Sequence, residues 1–431
     1  MKLVATRNKG AKDILPADIH KWRTVEQVAA DIAECYGFKE IRIPTFEKTE
    51  LFVRSVGETT DVVQKEMFTV TGTESSFTLR PEGTAGVIRA LLQNGLMNEA
   101  APQKLFYFVN CFRHENVQKG RLWEFHQFGA EMAGSHSPAA DAEVICFAGD
   151  ILKGLGLQNI SLHINSIGCP KCREEYYKVL REFLSPNREK LCGTCQSRFE
   201  KNPMRILDCK SDICKGIAEG APLITDYLCD ECREHFKRLC GILDEMGVEY
   251  VIDPKIVRGL DYYTKTVFEF ISDDIGAQGT ICGGGRYDGL IEEIGGAPTP
   301  ALGFAMGLER VIMAMESQGV EFMPEPGCDI YIASMGENAQ GQAMKLIREL
   351  REAGHRAQGD VMGRELRGQL KYADKIGAAY SAVIGDSELE SGKVTLKNMK
   401  SGEKTELPLL PLADFVDKFT DISMADMFDE D

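Results

Sequence analysis

Apolar side chains recur at helical spacing from residue 17 to 36 (Ile19, Trp22, Val25, Val28, Ala29, Ile32), and Gly37 then stops the run. From Glu40 to Phe46 the character alternates through Ile41 and Ile43 to Pro44, which predicts a strand running into an edge. Short strands separated by turn residues are predicted at 66–70, 77–80, 105–111 and 123–132, followed by a helix over 139–155 that closes near Gly154. Strands dominate without regular alternation with helices. A mostly antiparallel sheet flanked by helices, an α+β arrangement, therefore fits better than a doubly wound fold.

Residues 166–250 change character: they are rich in Cys, Lys, Arg and Glu, with helical stretches near 173–184 and 231–246. Strand-like, glycine-marked sequence returns from Ile256 to Gly285, and a helix begins near Met306. The economical reading is a helical, cysteine-rich insertion (166–250) within one sheet domain built from 1–165 and 251–323. Pro324, Pro326 and Gly327 mark the next boundary. Beyond it a strand over 329–333, helices over 339–353 and 365–376, a strand over 380–384 and a hairpin across Ser401-Gly402 predict a separate α/β domain spanning 327–411. Asp414 to Asp431 holds seven acids and one lysine, which reads as a frayed, solvated acidic tail over 412–431.

At 431 residues two or three domains are expected. No run of about 18 apolar residues is present, and Met1 to Gly10 has no apolar core, so a cytoplasmic protein without a membrane partner is expected. A net charge of −16 argues against coating nucleic acid by bulk electrostatics but leaves room for a local basic groove. Nine of the 14 cysteines lie between Cys169 and Cys240. Cys169/Cys172 and Cys192/Cys195 are two C-x2-C pairs whose separation falls in the zinc-ribbon range. Cys229/Cys232 is a third pair, and Cys209 lies near Cys214. Eight thiolates would fill two tetrahedral sites for structural Zn2+, with the grouping open; small packing residues or a redox cluster are the other uses of so many thiols.

Two runs carry candidate chemistry. In Phe112-Arg113-His114-Glu115 … Arg121 … Gln127-Phe128-Gly129-Ala130-Glu131, a strand, a polar loop and a second strand let Arg113 and Glu131 face one pocket. Arg113 offers a planar fork suited to phosphate or carboxylate, although a hairpin with surface charges has the same pattern. In Gly303 … Gly307-Leu308-Glu309-Arg310, glycines mark a strand-to-helix junction, and Arg310 lies in the first helical turn, where a cation is disfavoured unless an anion is near.

Together these runs resemble motifs 2 and 3 of class II aminoacyl-tRNA synthetases, and the segment from Asp31 to Phe46 with Pro44 resembles the motif 1 dimer element. Arg258-Gly259-Leu260-Asp261-Tyr262-Tyr263 and Cys282-Gly283-Gly284-Gly285-Arg286-Tyr287-Asp288 are similar to the histidine-specific motifs of the histidyl-tRNA synthetase family. Leu79-Arg80-Pro81-Glu82-Gly83-Thr84-Ala85 resembles its amine-binding loop, and Lys9 to Pro16 its opening signature. The likeness extends from residue 1 to about 410.

It implies an ATP-dependent histidine–tRNA ligase that activates L-histidine and transfers it to tRNA(His), working as a homodimer. Arg113 and Arg258 would be catalytic at the α-phosphate. Arg310 would stack on adenine, and Glu115 and Arg121 would complete the ATP site, with Mg2+ on the outer phosphates. Glu82 and Thr84 would hold the amino group, and Gln127, Glu131, Arg258, Tyr262, Tyr263 and Tyr287 would surround the rest of histidine. Gln118 and Arg121 would reach the tRNA acceptor end, as would the insertion, and the C-terminal domain would bind the anticodon. Two other readings compete: a regulatory, histidine-sensing paralogue serving the ATP phosphoribosyltransferase of histidine synthesis, and a zinc-ribbon nucleic-acid-binding protein.

Overall fold

The computed structural model describes residues 5–57, 60–72, 75–209, 211–275 and 279–428, and forms two compact units, Met1–Met323 and Pro324–Asp431. In the first unit the apolar runs around Phe106 and Phe128 make two ten-residue strands, Gln103–Phe112 and Glu124–Ala133, paired antiparallel from Gln103↔Ala133 to Phe112↔Glu124. Among the described residues they belong to an eight-stranded sheet. Its order is Lys39–Glu40, Gln103–Phe112, Glu124–Ala133, Ala301–Gly307, Thr280–Arg286, Thr264–Ser272, Ile160–Ser166, Val251–Ile252. The interior pairs are antiparallel and the two short edge strands pair parallel.

Each face of this sheet carries its own apolar core. Helices Pro16–Cys35, Pro138–Gly154 and Leu308–Gln318 contribute Val25, Phe147 and Val311 to one, against Phe106, Phe128 and Phe304 of the strands. Helix Thr84–Gln93 and most of the insertion cover the other face around Tyr107, Tyr176 and Tyr287, while Phe236, Leu239 and Leu243 near the insertion's end join the first core. The insertion is built from helices Pro170–Leu184, Gly193–Lys201, Asp212–Ala218 and Asp230–Glu245. It is anchored by a buried charge cluster in which His235 Nε2 lies 3.3 Å from Asp141 Oδ2 and Arg286 donates to the same carboxylate. Burial alone would push the Asp141 carboxyl up, but His235 and Arg286 outweigh it and hold it below its usual range.

Two local expectations fail for identifiable reasons. The strand expected over Glu40–Phe46 is broken into Lys39–Glu40 and Phe46–Lys48, which join different sheets. Between them the carbonyls of Ile43 and Pro44 accept from the Arg80 guanidinium at 2.8 and 2.9 Å, and Pro44 has no N–H to offer a ladder. The strand expected at 66–70 starts only at Thr69, because Val62–Glu66 forms a π-helical turn.

In the second unit the strands are ordered Ala357–Gly359, Ile330–Ser334, Tyr380–Ile384, Lys393–Asn398, Lys404–Pro408, the first three parallel and the rest antiparallel. Helix Leu366–Lys375 covers one face and Glu337–Glu352 the other. The expected solvated tail is a correction: Leu412–Phe428 is a helix whose Phe415, Val416 and Phe419 are buried beside Glu337–Glu352. Its apolar residues fall at helical spacing within an acidic composition, and spacing, not net charge, decides whether a helix finds a core. Residues 1–4 and 429–431, the ends of the expected leaderless N-terminus and acidic tail, lie outside the described residues.

Candidate active site

The amine-binding loop leads directly into helix Thr84–Gln93, and Glu82 caps it: its carboxylate accepts the N–H groups of Thr84 and Ala85 at 2.8 and 2.9 Å. Burial pushes the Glu82 carboxyl up, and those bonds counter it. Behind it, Glu131 lies mid-strand and buried. Its Oε1 accepts the Thr84 hydroxyl at 2.7 Å and the Tyr107 hydroxyl at 2.8 Å, while Oε2 accepts the Tyr287 hydroxyl. Burial pushes this carboxyl up to about 8, although all three hydroxyls oppose the shift. The arrangement requires glycine at its neighbours. A Cβ on Gly303 would sit 2.0 Å from Glu131 Oε2, and one on Gly83 or Gly129 would strike the Tyr107 ring at 2.2 or 2.3 Å.

Above this floor opens a cavity of about 1080 Å³ lined by Glu82, Thr84, Arg113, Glu115, Arg121, Gln127, Arg258, Tyr262, Tyr263, Tyr287 and Arg310, among others. Glu131 lies just beneath that lining, behind Thr84 and Tyr287. Gln118 is apart from it. It pairs with Arg121 across a tight turn (N–H to carbonyl, 3.1 and 2.9 Å) and is exposed at the loop tip. The rings of Tyr262 and Tyr263 lie 4.7 Å apart, with Tyr287 at 5.4 Å from Tyr262. Gln127 accepts from the Cys111 thiol at 3.2 Å.

Three guanidinium groups from distant stretches of chain enter this one cavity. Arg113 donates from Nε to the Pro81 carbonyl at 2.8 Å and lies 5.3 Å over the Phe125 ring. Arg258 pairs with Glu269, whose other oxygen accepts from Thr280 at 2.9 Å, and lies 5.5 Å over the Tyr263 ring; its buried Nε makes no hydrogen bond to protein. Burial disfavours the Arg258 charge, but Tyr263 and Glu269 outweigh it and raise its pKa. Arg310 donates to the Thr280 carbonyl at 2.6 Å. Its pKa is lowered by burial first and then by the neighbouring charges of Arg121 and Arg113, against the opposing pull of Glu115 and Glu269. Glu115 bonds Arg121 at 2.9 Å.

Sequence reasoning singled out neither Tyr107 nor Glu309, whose carboxylate holds the His126 N–H at 3.0 Å and lines the cavity. Glu269 was not singled out either; a carboxylate among Val267, Phe268, Phe270 and Ile271 of strand Thr264–Ser272 was its signal.

The eight cysteines form two sets, each with sulfurs within 4.8 Å of one another: Cys169, Cys172, Cys229, Cys232, and Cys192, Cys195, Cys209, Cys214. The zinc-ribbon spacing of the first two pairs is thus not the pairing formed; each joins a later pair. Sulfur separations of 3.6 Å (Cys169–Cys172), 4.0 Å (Cys169–Cys229) and 3.9 Å (Cys192–Cys209) match the roughly 3.8 Å edge of a tetrahedron with 2.3 Å metal–sulfur bonds. They are far from the disulfide length of about 2 Å. Main-chain N–H groups of Cys229 and Cys192 also point at Cys172 and Cys214 sulfurs, at 3.1 and 3.3 Å.

Family models, sequence relatives and solved structures of histidyl-tRNA synthetases all match this chain. The family model "Histidyl-tRNA synthetase" matches residues 10–171 and 217–311, and "Anticodon binding domain" matches 329–419. The histidine–tRNA ligase of Acetivibrio thermocellus is 55% identical over 402 residues, covering 93% of this chain and 96% of the relative; that of Caldanaerobacter subterraneus is 53% identical over 400 residues with the same coverage. The apo histidyl-tRNA synthetase of S. aureus superposes with a TM-score of 0.82 at 38% identity, covering 96% of this chain and all of its own. The enzyme of Nostoc sp. PCC 7120, at 21% identity and a TM-score of 0.67, covers 96% of this chain and 99% of its own and shares the fold.

Proposed function

The chain belongs to the histidyl-tRNA synthetase family, and from that premise we propose how its cavity serves the ATP-dependent ligation of histidine to tRNA. The observation that carries the reading is the entry of Arg113, Arg258 and Arg310 into one cavity above the Glu131–Tyr287 floor. The histidine carboxylate attacks the α-phosphorus of ATP, the bond to the bridging oxygen breaks, and pyrophosphate leaves. The terminal ribose hydroxyl of tRNA(His) then attacks the histidyl carbonyl and displaces AMP.

Phosphoryl transfer needs positioning and charge neutralisation more than covalent help. Arg113 and Arg258 approach the α-phosphate from two sides, and Arg310 packs on the adenine. Mg2+ would neutralise the outer phosphates of ATP, with Glu115 a residue that would face it. Glu82 and Thr84 receive the amino group; Glu131, Gln127, Tyr262, Tyr263 and Tyr287 surround the imidazole. A site built to bond two ring nitrogens rejects apolar analogues by roughly 10⁴–10⁵ without editing. Gln118 and Arg121, on an exposed turn at the cavity mouth, meet the tRNA acceptor end.

The exposed apolar side chains of Phe46, Val70 and Phe77 on the small sheet suit a second copy of the chain, consistent with a homodimer. No described helix is long and apolar enough to cross a membrane, which accords with a cytoplasmic enzyme. Each thiol set fits a structural zinc ion by donor type and spacing. The regulatory-paralogue reading gains nothing: Arg258 to Tyr263 are intact, and residues 329–419 match an anticodon-binding domain.

Exchange of labelled pyrophosphate into ATP, run with each of the twenty amino acids, tests the assignment. Histidine alone supports exchange, and Arg258→Ala and Arg113→Ala each lower kcat by about 10²–10³-fold. Exchange with another amino acid, or undiminished exchange in both variants, overturns it.

A further inference from the structure

Arg258–Tyr263 forms neither strand nor helix, so its shape is imposed from outside. Three side chains of the insertion bond it along its length. Arg205 Nη1 donates to the Arg258 carbonyl at 3.1 Å, Asn202 Nδ2 donates to Asp261 Oδ1 at 2.9 Å, and Arg173 Nη2 donates to the Tyr263 carbonyl at 2.5 Å. All three fall between residues 172 and 216, the stretch the family model leaves unmatched. Asn202 and the main chain at Arg205 are held in turn. The Tyr177 hydroxyl donates to Asn202 Oδ1 at 3.0 Å, and Arg198 bonds both the Arg205 carbonyl, at 3.2 Å, and Asp61, at 2.6 Å.

Arg173 and Arg205 stand next to the thiol sets along the chain. Arg173 lies in the first turn of helix Pro170–Leu184, which follows directly on Cys169 and contains Cys172. Arg205 lies between Cys195 and Cys209 of the other set. The two ends of the Arg258–Tyr263 run are therefore held from two separately stapled pieces of the insertion.

We propose that Arg173, Asn202 and Arg205 are positioning residues for histidine activation: the insertion clamps Arg258–Tyr263 into the conformation the reaction uses. This rests on the reading above that Arg258 and Tyr263 face the substrates. The clamp acts on the amino-acid step, before any tRNA is bound. A displacement of about 1 Å in such a group can cost on the order of 10²-fold in rate.

The test uses full-length Arg205→Met, Arg173→Met and Arg173→Lys chains in pyrophosphate exchange without tRNA, with hydrogen exchange measured at amides 258–264. Arg205→Met lowers kcat by about 10–100-fold through Arg258, leaving the KM for ATP within about 2-fold. Arg173→Met raises the KM for histidine about tenfold through Tyr263, and Arg173→Lys, which keeps a donor, recovers at least half of that loss on a logarithmic scale. Both Met variants speed exchange at 258–264 at least tenfold while melting within a few degrees of the parent. Losses that track only the folded fraction, or kinetics and exchange within 2-fold of the parent, overturn the clamp. If the parent shows no histidine-dependent exchange, the functional reading fails, whereas amide protection at 258–264 still decides whether the insertion holds the segment.

Discussion

Glu131 sits where a charge is costly, beneath the cavity lining and touched only by hydroxyl groups on its carboxylate oxygens. Its carboxyl is pushed from 4.5 up to about 8 by burial. Below about 4.5 both folded and unfolded chains hold the proton. Between there and about 8 only the folded chain does, so this group's contribution to stability falls as pH rises through that window and is gone above it. The loss is on the order of a few kcal/mol, at 1.36 kcal/mol per pH unit. Glu131→Gln is neutral throughout, so in ligand-free protein the fall in Tm between pH 5 and pH 9 becomes smaller than in the parent. At the same time the KM for histidine rises at least tenfold, because the amide sets an NH2 donor against hydroxyls that bond the carboxyl oxygens and cannot take up charge when histidine binds. A Tm-versus-pH curve superimposable on the parent's would show that Glu131 ionises normally. None of this environment is legible along the chain. Tyr107, which supplies a hydroxyl and demands glycine at 83 and 129, lies on a neighbouring strand and looks like any core aromatic until the strands pair.

At the scale of single strands, the glycine run in Thr280–Arg286 shows what a motif encodes. A Cβ on Gly283 would meet the far end of Arg258, at 2.4 Å from Nη1, whereas one on Gly284 would meet the Gly303 carbonyl oxygen at 2.2 Å. A side-chain tip can move and a paired strand cannot. Gly283→Ala therefore lowers kcat for pyrophosphate exchange by about 10²-fold with Tm changed by only a few degrees. Gly284→Ala costs about 3 kcal/mol or more of stability, measured by denaturant unfolding. Equal effects of the two substitutions on Tm would refute the distinction. The glycines, and the long strands with strong periodicity, were readable in the sequence for this reason: they are local rules with local signals. The break at Ile43–Pro44 was not, since it depends on one side chain from elsewhere, Arg80 taking the carbonyls.

The whole chain shows the same division between local and assembled information. That eight of the cysteines would gather was legible from their pairwise spacing, but their grouping required the helices to fold back, bringing Cys229 and Cys232 to Cys169 and Cys172 across sixty residues. Nor did composition reveal that the insertion shares one continuous apolar core with the catalytic sheet, in which Cys172, Cys195 and Tyr176 pack with Tyr262, Tyr263 and Tyr287. A separate module could lose its metal and leave the active site standing; an insertion built into the same core cannot. Elemental analysis of protein purified under reducing conditions is accordingly expected to find two zinc ions per chain, and Cys214→Ser to leave about one. Chelation should lower Tm by at least about 10 °C and abolish histidine-dependent pyrophosphate exchange even without tRNA, with zinc restoring both, because structural zinc supplies folding energy directly. Metal-free protein that melts and exchanges like the parent would show that the eight thiols serve only as small core residues.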